Sequence, residues 1–196
     1  MHIALRRIGA PSAEPITLAE ARAHLRVDGT AEDAMIALYM AAAREVVEQE
    51  TGRCLMPTDW VMDLPGFPAD GMIEPWHAPL ISLTSISTVS AAGTVTALAA
   101  GAWQVAIPAG PAALRGQAWP AASTTWPSTD IGVAAPVRVQ YRAGYASVSN
   151  VPAALRAAVL LALGDLFANR EAASVARVSD NPAFGRLIAP YRLFWG

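Results

Sequence analysis

The sequence has no lysine, a single cysteine and few charged residues for its length. All 14 basic residues are arginines, which is typical of a GC-rich genome. The one cysteine, Cys54, excludes an internal disulfide and fits a reducing compartment. Charged residues make up 15% of the 196 residues, against about 25% in an average soluble domain. Because 54% of the residues are apolar, the chain can bury a core, and part of its sparsely charged surface is expected to be covered by a partner.

Signatures of targeting and of common chemistry are also missing. The N-terminal stretch has no apolar core of a secretory signal, and the apolar run at residues 157–164 is far shorter than the roughly 20 residues of a membrane span. P-loop, G-x-G-x-x-G, G-x-S-x-G and H-E-x-x-H motifs do not occur. We therefore expect a protein made in the bacterial cytoplasm, outside the membrane, with no catalytic residue, cofactor or metal.

Two groups of residues could carry chemistry, and for both we favour a structural interpretation. Cys54 could act as a nucleophile with His24 or His77, but its position after a helix stop favours a buried thiol. Glu45 and Glu48 have a spacing that could bind a metal, but a solvated helix face is the favoured reading.

Two Trp-Pro pairs stand in a long loop. Trp119-Pro120 and Trp126-Pro127 could stack a base or a sugar. No basic cluster accompanies them, so packing or a subunit contact is favoured.

The charges that are present divide the chain. Residues 1–75 carry 6 Arg and 12 Asp or Glu, and residues 76–196 carry 8 Arg and 4 Asp or Glu, which together give the net charge of −2. An acidic first part and a basic second part suit a subunit stacked between different partners, although an acidic helix arising by chance explains them equally well.

Two helices are predicted near the start. Thr17 and Glu20 form a capping box that begins a helix through Arg26. A second helix is predicted over residues 31–51, with Thr30 before it and Gly52 as its stop. Its predicted apolar face contains Met35, Leu38, Tyr39, Ala42 and Val46.

From Cys54 to about Tyr145 the helical period disappears and short strands are predicted between Pro- and Gly-containing turns. The predicted strands are Thr58–Leu64, Met72–Glu74, Ile81–Ser90, Thr94–Leu98, Trp103–Ile107 and Val137–Ala143. Residues 91–93 predict a hairpin turn. Residues 108–136 are expected to be a long loop with one short strand near Leu114.

A third helix and an aromatic tail complete the sequence. Residues 151–170 are apolar almost all round, which predicts burial on most sides. The last residues combine aromatic side chains with arginine, a composition typical of binding hot spots, although folding back onto the chain's own core remains the alternative.

The order of these parts resembles the head–tail connector, or adaptor, proteins of long-tailed phages and phage-derived gene transfer agents. The matching stretches are residues 15–28 (PITLAEARAHLRVD), the second helix with its A-A-R-E and T-G-R motifs, residues 138–145, residues 151–161 (VPAALRAAVLL) and the A-P-Y-R motif at residues 189–192. Each motif alone is weak, but their order covers nearly the whole chain. Unusually long loops in the β region, and residues 193–196 after the motif, depart from the family pattern.

The resemblance implies a non-enzymatic subunit of a twelve-membered ring beneath the portal. Such a ring extends the DNA channel and supports the stopper or tail terminator protein, and DNA passes through it without sequence-specific binding. The implied fold is α+β, with a helical connector core of two N-terminal helices and one long C-terminal helix, an inserted antiparallel β domain and an extended C-terminal arm. The predicted boundaries are 1–53, 54–148, 149–171 and 172–196.

Two sets of contact residues are predicted on this basis. The portal-binding residues are expected to be Phe184, Arg186, Leu187, Tyr191, Arg192, Leu193, Phe194 and Trp195. The ring contacts are expected to include Met35, Tyr39, Arg44, Leu160 and Leu163.

Three alternatives stay open at this stage. One is another neck or tail-completion ring protein, and a second is an enzyme using Cys54 or the acids of the second helix. The third is a free-standing β-rich binding module, which the two capped N-terminal helices disfavour. The sequence does not distinguish an infectious phage from a gene transfer agent.

Overall fold

The computed structural model describes residues 4–169 and 181–193, and it divides into a β unit and a helical unit. The β unit contains residues 4–10 and 57–144. The helical unit contains residues 11–56 and the described part of 145–193. The predicted α+β class is confirmed, with helices and antiparallel sheets in separate units.

The main sheet of the β unit has five antiparallel strands in the order β1-β2-β7-β3-β4. A separate ribbon pairs β5 with β6. The strands are β1 Ala4–Ile8, β2 Thr58–Leu64, β3 Leu80–Val89, β4 Val95–Ala97, β5 Trp103–Ala106, β6 Gln117–Pro120 and β7 Val137–Ala143. The central strand β7 alternates strictly, which buries Val137, Val139, Tyr141 and Ala143 on one face.

Several sequence predictions in this unit need correction. Residues 1–16 were expected to be a loop or edge segment, and the domain boundary at residue 53 assigned them to the helices. Residues 4–8 form the edge strand β1, which pairs with β2 from Ala4 opposite Asp63 to Ile8 opposite Asp59. The edge segment is therefore confirmed, whereas the boundary at residue 53 is wrong for residues 4–10, which belong with the sheet. The two adjacent arginines of β1 hide the strand pattern, and Arg6 is held by an ion pair with Asp63 at 3.1 Å.

The long loop also differs from its prediction. Its short strand lies at β6 rather than near Leu114, which is exposed. The predicted strand over residues 72–74 is reduced to a single bridge between Ile73 and Ala118.

The helical unit contains α1 Leu18–Leu25, α2 Asp33–Thr51, α3 Ala153–Ala168 and α4 Pro182–Ile188. The capping box at Thr17 and Glu20 is present, and Gly52 ends α2 with φ +70°. The first turn of α2 starts later than predicted, and Glu32 rather than Thr30 occupies its cap position without a side-chain hydrogen bond. The core residues of this unit include Ile16, Ala21, Ile36, Met40, Ala43, Val47, Leu155, Val159, Leu163, Phe184 and Ile188.

The C-terminal segment corrects another prediction. Residues 181–193 form α4 and a following 3₁₀ turn, which pack on α3 and α2. For these residues the extended arm is wrong, and the alternative of folding back onto the chain's own core is confirmed. The Asn181 carboxamide caps the helix by accepting the Ala183 N–H at 2.9 Å, and Pro182 fits its first turn. Because Phe184 and Ile188 are one turn apart, both reach the same side and are fully buried.

We expect Glu20 to make the helical unit sensitive to acid. Hydrogen bonds from the Thr17 backbone and hydroxyl, with a further contribution from Arg156, lower the pKa of the Glu20 carboxyl. Because the pKa of Glu20 is lower in the folded chain than in the unfolded chain, its ionised carboxylate stabilises the folded state. This stabilisation is present above about pH 4.3 and is lost as the pH falls through the pKa of the folded chain. In urea titrations, Glu20→Gln should therefore lower the free energy of unfolding near neutral pH and lower it less in acid.

The control for this prediction is Asp28→Asn, since the exposed Asp28 makes none of these contacts. A difference between Glu20→Gln and the unchanged protein that stays constant between neutral and acidic pH would contradict the assignment.

Candidate assembly surfaces

The face of α2 that carries Met35 and Leu38 is exposed in the helical unit. The side chain of Leu38 is 66% exposed and that of Met35 is 41% exposed. The face turned to the core is instead the stripe Ile36, Met40, Ala43 and Val47, at the same helical spacing. The predicted apolar face is therefore divided: Met35 and Leu38 are exposed, whereas Tyr39, Ala42 and Val46 are half-buried.

This exposed stripe continues with small residues. At 100° per residue, Ala34 and Ala42 lie within about 40° of Leu38 around the helix axis. Two large apolar side chains among alanines form an apolar strip on the first half of α2, and the exposed Glu45 marks its end on the same side of the helix. Such a strip is a candidate protein contact.

Arg44 lies at the centre of a buried ion cluster, although the sequence favoured a solvated face there. Its side chain is only 3% exposed, and its guanidinium donates to Glu14 at 2.9 Å and to Glu48 at 2.6 Å. The other oxygen of Glu48 accepts the Leu55 N–H at 2.7 Å. The cluster thereby connects α2 with the segments that precede α1 and follow α2.

Burial and charge act in opposite directions inside this cluster. Burial alone would lower the pKa of Arg44, but the charges of Glu48 and Glu14 outweigh it and raise that pKa. Burial raises the pKa of the Glu48 carboxyl, against the opposing effects of Arg44 and the Leu55 N–H. Arg44 therefore stabilises the ionised form of the Glu48 carboxyl against the effect of burial.

The five residues predicted for the ring contact fall into different places. Met35 is exposed, whereas Leu163 and Arg44 are buried within the helical unit. Tyr39 is half-buried and meets the ring of Phe167 edge-on at 6.5 Å, and Leu160 is also half-buried against the core. Of the five, Met35 alone offers an open apolar side chain.

The residues predicted to bind the portal also separate by burial. Phe184 and Leu193 are buried in the helical unit, and Leu187 and Tyr191 are half-buried against its core. Arg186 and Arg192 are exposed. Phe194 and Trp195 lie outside the described residues.

Main-chain contacts hold the segment that leads up to Leu193. The Arg53 guanidinium donates to the Tyr191 carbonyl at 2.5 Å, and the Leu193 N–H donates to the Thr51 carbonyl at 2.9 Å. Arg192 reaches Glu50 at 2.6 Å on the surface. The end of α2 is therefore tied to the C-terminal segment by both backbone and side chains.

The Trp-Pro pair of the long loop packs within the β unit. The Trp126 ring stacks on Phe67 with centroids 4.9 Å apart, and its indole N–H donates to the Gly71 carbonyl at 2.8 Å. A shallow groove of about 340 Å³ lies beside this stack, lined also by Asp70, Pro120 and Thr124. Trp126 thus fastens the loop to the segment after β2.

The candidate nucleophile and metal residues are placed as follows. Cys54 is buried in the helical unit, and His24 is exposed on α1. In the β unit, His77 stacks on Trp60 at 3.8 Å and its Nδ1 lies 2.9 Å from the Tyr141 hydroxyl. Within residues 4–169 and 181–193, no group of three or more His, Cys, Asp or Glu side chains could hold a metal ion.

None of the helices in the described ranges is long and apolar enough to cross a membrane.

Comparison with known proteins supports a structural neck or connector subunit. Residues 15–72 match the family described as phage gp6-like head-tail connector protein, which covers α1, α2 and β2. No curated protein sequence matches the chain.

Solved structures resemble nearly the whole chain. One, described as the neck of an empty GTA particle computed with C6 symmetry, has TM-score 0.80 and 25% identity over 99% of this chain and 97% of its own. A second, from the virion of a native gene transfer agent particle, has TM-score 0.77 and 27% identity over 98% and 96%. A third, the neck of a native GTA particle computed with C12 symmetry, has TM-score 0.76 and 25% identity over 99% and 97%.

Proposed function

We infer that this chain is a structural head–tail connector subunit in the neck of a phage-like particle. The observation that carries the inference is the likeness of both units, over nearly the full length, to chains from the necks of gene transfer agent particles. The connector-family match over the N-terminal helices supports it independently. A structural role without catalysis follows from the same relatives.

The subunit is proposed to act as one member of a ring, most simply of twelve copies. The related necks were described with C12 and C6 symmetry. In a closed ring each subunit contacts two neighbours through two different patches. A chain with only 15% charged residues suits such a position, because much of its surface is then covered.

We assign the exposed strip of α2 to this contact, with the next copy as its occupant. Leu38 and Met35 are large, apolar and solvent-exposed in the single chain, and twelvefold repetition supplies a neighbour for each of them. Tyr39 and Leu160 are half-buried against the core of the helical unit, while Arg44 and Leu163 are buried in it and maintain its fold.

DNA is proposed to pass through the ring without being held. Phosphate binding needs clustered Lys or Arg, and the chain has no Lys and a net charge of −2. The contact with DNA is therefore weak and independent of sequence.

The proposed head-side partner is the portal, and the C-terminal residues are the proposed contact. Phe184 and Leu193 are buried, and Leu187 and Tyr191 are half-buried against the core. The proposed set of portal-binding residues is therefore reduced to Arg186, Arg192 and the residues after Leu193. The two exposed guanidinium groups suit acidic side chains on the portal. The proposed tail-side neighbour is a stopper or tail terminator protein.

Ending the chain after Leu193 tests the portal contact. The Leu193 N–H bond to Thr51 remains in this variant, so the thermal midpoint should change little. Loss of the two aromatic residues at positions 194 and 195 should weaken binding to the purified portal by at least about tenfold, the loss of one hot spot of about 1.4 kcal/mol or more. Arg186→Glu combined with Arg192→Glu should weaken it further, and biolayer interferometry measures both.

A matched control is Arg142→Glu, an exposed arginine of the β unit. Portal binding that is unchanged in both C-terminal variants would move the proposal to the other ring positions of the neck, including a tail-completion ring.

A further inference from the structure

The β3–β4 hairpin leaves its last strand uncovered on both faces. All three residues of β4 are exposed, and the side chain of Val95 is 49% exposed. The hairpin is nevertheless well defined: the Ser90 N–H donates to the Thr94 carbonyl at 2.9 Å, and the Asp130 carboxylate accepts the Ala91 N–H at 2.9 Å. An ordered ribbon therefore ends in a strand that no part of the described chain covers.

The outer edge of β4 carries unused backbone hydrogen-bonding groups. Thr94 and Leu98 bond inward, to Ser90 and Ile86 respectively. In an antiparallel pair, hydrogen-bonding residues alternate, so Thr96 also faces β3 while the N–H and C=O of Val95 and Ala97 face outward. Within the described residues, β4 is hydrogen-bonded to β3 alone and forms one edge of the sheet.

The sequence around β4 has none of the charges that usually protect an exposed edge. No Asp, Glu, Lys or Arg occurs between Pro75 and Leu114. The opposite edge of the sheet, β1, carries two adjacent arginines. Edge strands are normally blunted by charge or proline, so an uncharged edge of Val, Thr and Ala is suited to pair with another strand.

We propose that β4 pairs along its outer edge with β1 of a neighbouring copy, so that the five-stranded sheets join from subunit to subunit. This proposal rests on the proposed ring. A ring contact joins two different patches of the same chain, and the sheet has two different edges. The arginines of β1 oppose pairing of one β1 with another, whereas the uncharged β4 segment places no like charge opposite them.

The proposed pairing of β4 with β1 involves few hydrogen bonds. It therefore orients neighbouring subunits, and it contributes little of the free energy of association. Val95 and Ala97 offer two outward N–H groups and two outward carbonyls. At about 0.5–1.5 kcal/mol for each hydrogen bond, losing one weakens each contact about three- to tenfold.

Ala97→Pro tests this strand joint without disturbing the fold of the single chain. Proline is tolerated on an edge strand where the missing N–H faced solvent, so the thermal midpoint of the monomer should change little. Ring assembly, measured by mass photometry over a concentration series, should weaken about three- to tenfold per contact. Ala97→Val keeps the N–H and is the matched control.

Amide hydrogen exchange of residues 94–98, in monomer and in ring, gives the second readout. We expect protection of Val95 and Ala97 when rings form from this chain alone or on the portal. Rings in which these amides exchange as in the monomer overturn the strand joint while the connector function stands. Protection that is absent from the ring and appears only after a neck protein other than the portal is added overturns pairing with a second copy, and absence of any ring overturns the proposed function itself.

Discussion

Arg44→Ala is expected to lower the free energy of unfolding of the helical unit by about 3–5 kcal/mol, the usual effect of removing one partner of a buried ion pair. Arg44 is nearly inaccessible, donates hydrogen bonds to Glu14 and Glu48, and lies 3.6 Å from the more exposed carboxylate of Glu45. Without it, Glu48 stays buried with only the Leu55 N–H to stabilise its charge. Chemical denaturation followed by circular dichroism measures the change.

The pH dependence of this loss identifies its cause. Burial already raises the pKa of Glu48, and removing Arg44 raises it further. A folded pKa above the unfolded one gives stability that is present in acid and lost as the pH rises through the folded pKa. The free energy of unfolding lost in Arg44→Ala should therefore be larger near pH 8 than near pH 5. Each unit by which the substitution raises the pKa of Glu48 adds about 1.4 kcal/mol to this difference.

Two further variants make the result specific. Arg44→Met with Glu48→Gln removes both charges but keeps an acceptor for Leu55, and it should recover more than half of the lost stability. Arg192→Ala breaks an exposed pair with Glu50 and should cost about 1 kcal/mol or less. A double variant no more stable than Arg44→Ala would contradict the account of the cluster.

Leu38→Asp is expected to abolish ring assembly without unfolding the subunit. Leu38 is mostly exposed, and surface substitutions usually change stability by about 0.5 kcal/mol or less. In a ring the aspartate would be buried at an apolar contact in every copy, and an unpaired buried charge costs several kcal/mol each time. The expected result is a chain with a nearly unchanged thermal midpoint that stays monomeric at concentrations at which the unchanged protein forms rings.

Ala37→Asp provides the matched control on the same helix. Ala37 is also exposed but lies about 100° around the helix axis from Leu38. The Ala37→Asp substitution introduces the same charge as Leu38→Asp and has a similar effect on helix propensity. Ring assembly of this variant should be largely intact. Equal loss of assembly in both variants would show that negative charge anywhere on α2 is harmful and would remove the assignment of the strip.

Local signals made the helix ends and the central strands predictable. Thr17 with Glu20, and Gly52 after α2, are short-range motifs whose hydrogen bonds need only a few neighbouring residues. The strands Thr58–Leu64 and Val137–Ala143 were predicted with the bounds they have in the structure, because each combines β-branched residues with flanking Pro or Gly.

Contacts between residues far apart in the chain could not be predicted from the sequence. β1 was missed since its partner β2 lies some fifty residues away and its Arg-Arg pair obscures alternation. Arg44 was predicted to be a ring contact, and its burial was missed because its partner Glu14 comes from a distant segment. On α2, two apolar stripes had the same spacing, and only packing against α3 selected Ile36 and Met40 as the buried one.

The tail illustrates the same limit at the candidate site. Its aromatic and aliphatic residues predicted a docking element, and the described part uses Phe184 and Leu193 for the chain's own core. The amino-acid composition of the tail indicated that its apolar side chains would be buried. It did not indicate whether they are buried in the same chain or in a partner. The comparison with particle necks, which depends on both units together, supplied the functional assignment.

Mass photometry of the purified chain, alone and mixed with the portal of the same particle, tests the central claim most directly. The account predicts a closed ring of about twelve chains, which at 20.5 kDa each is about 250 kDa, or the same mass added to the portal ring. A chain that forms no ring alone and adds no mass to the portal would contradict it.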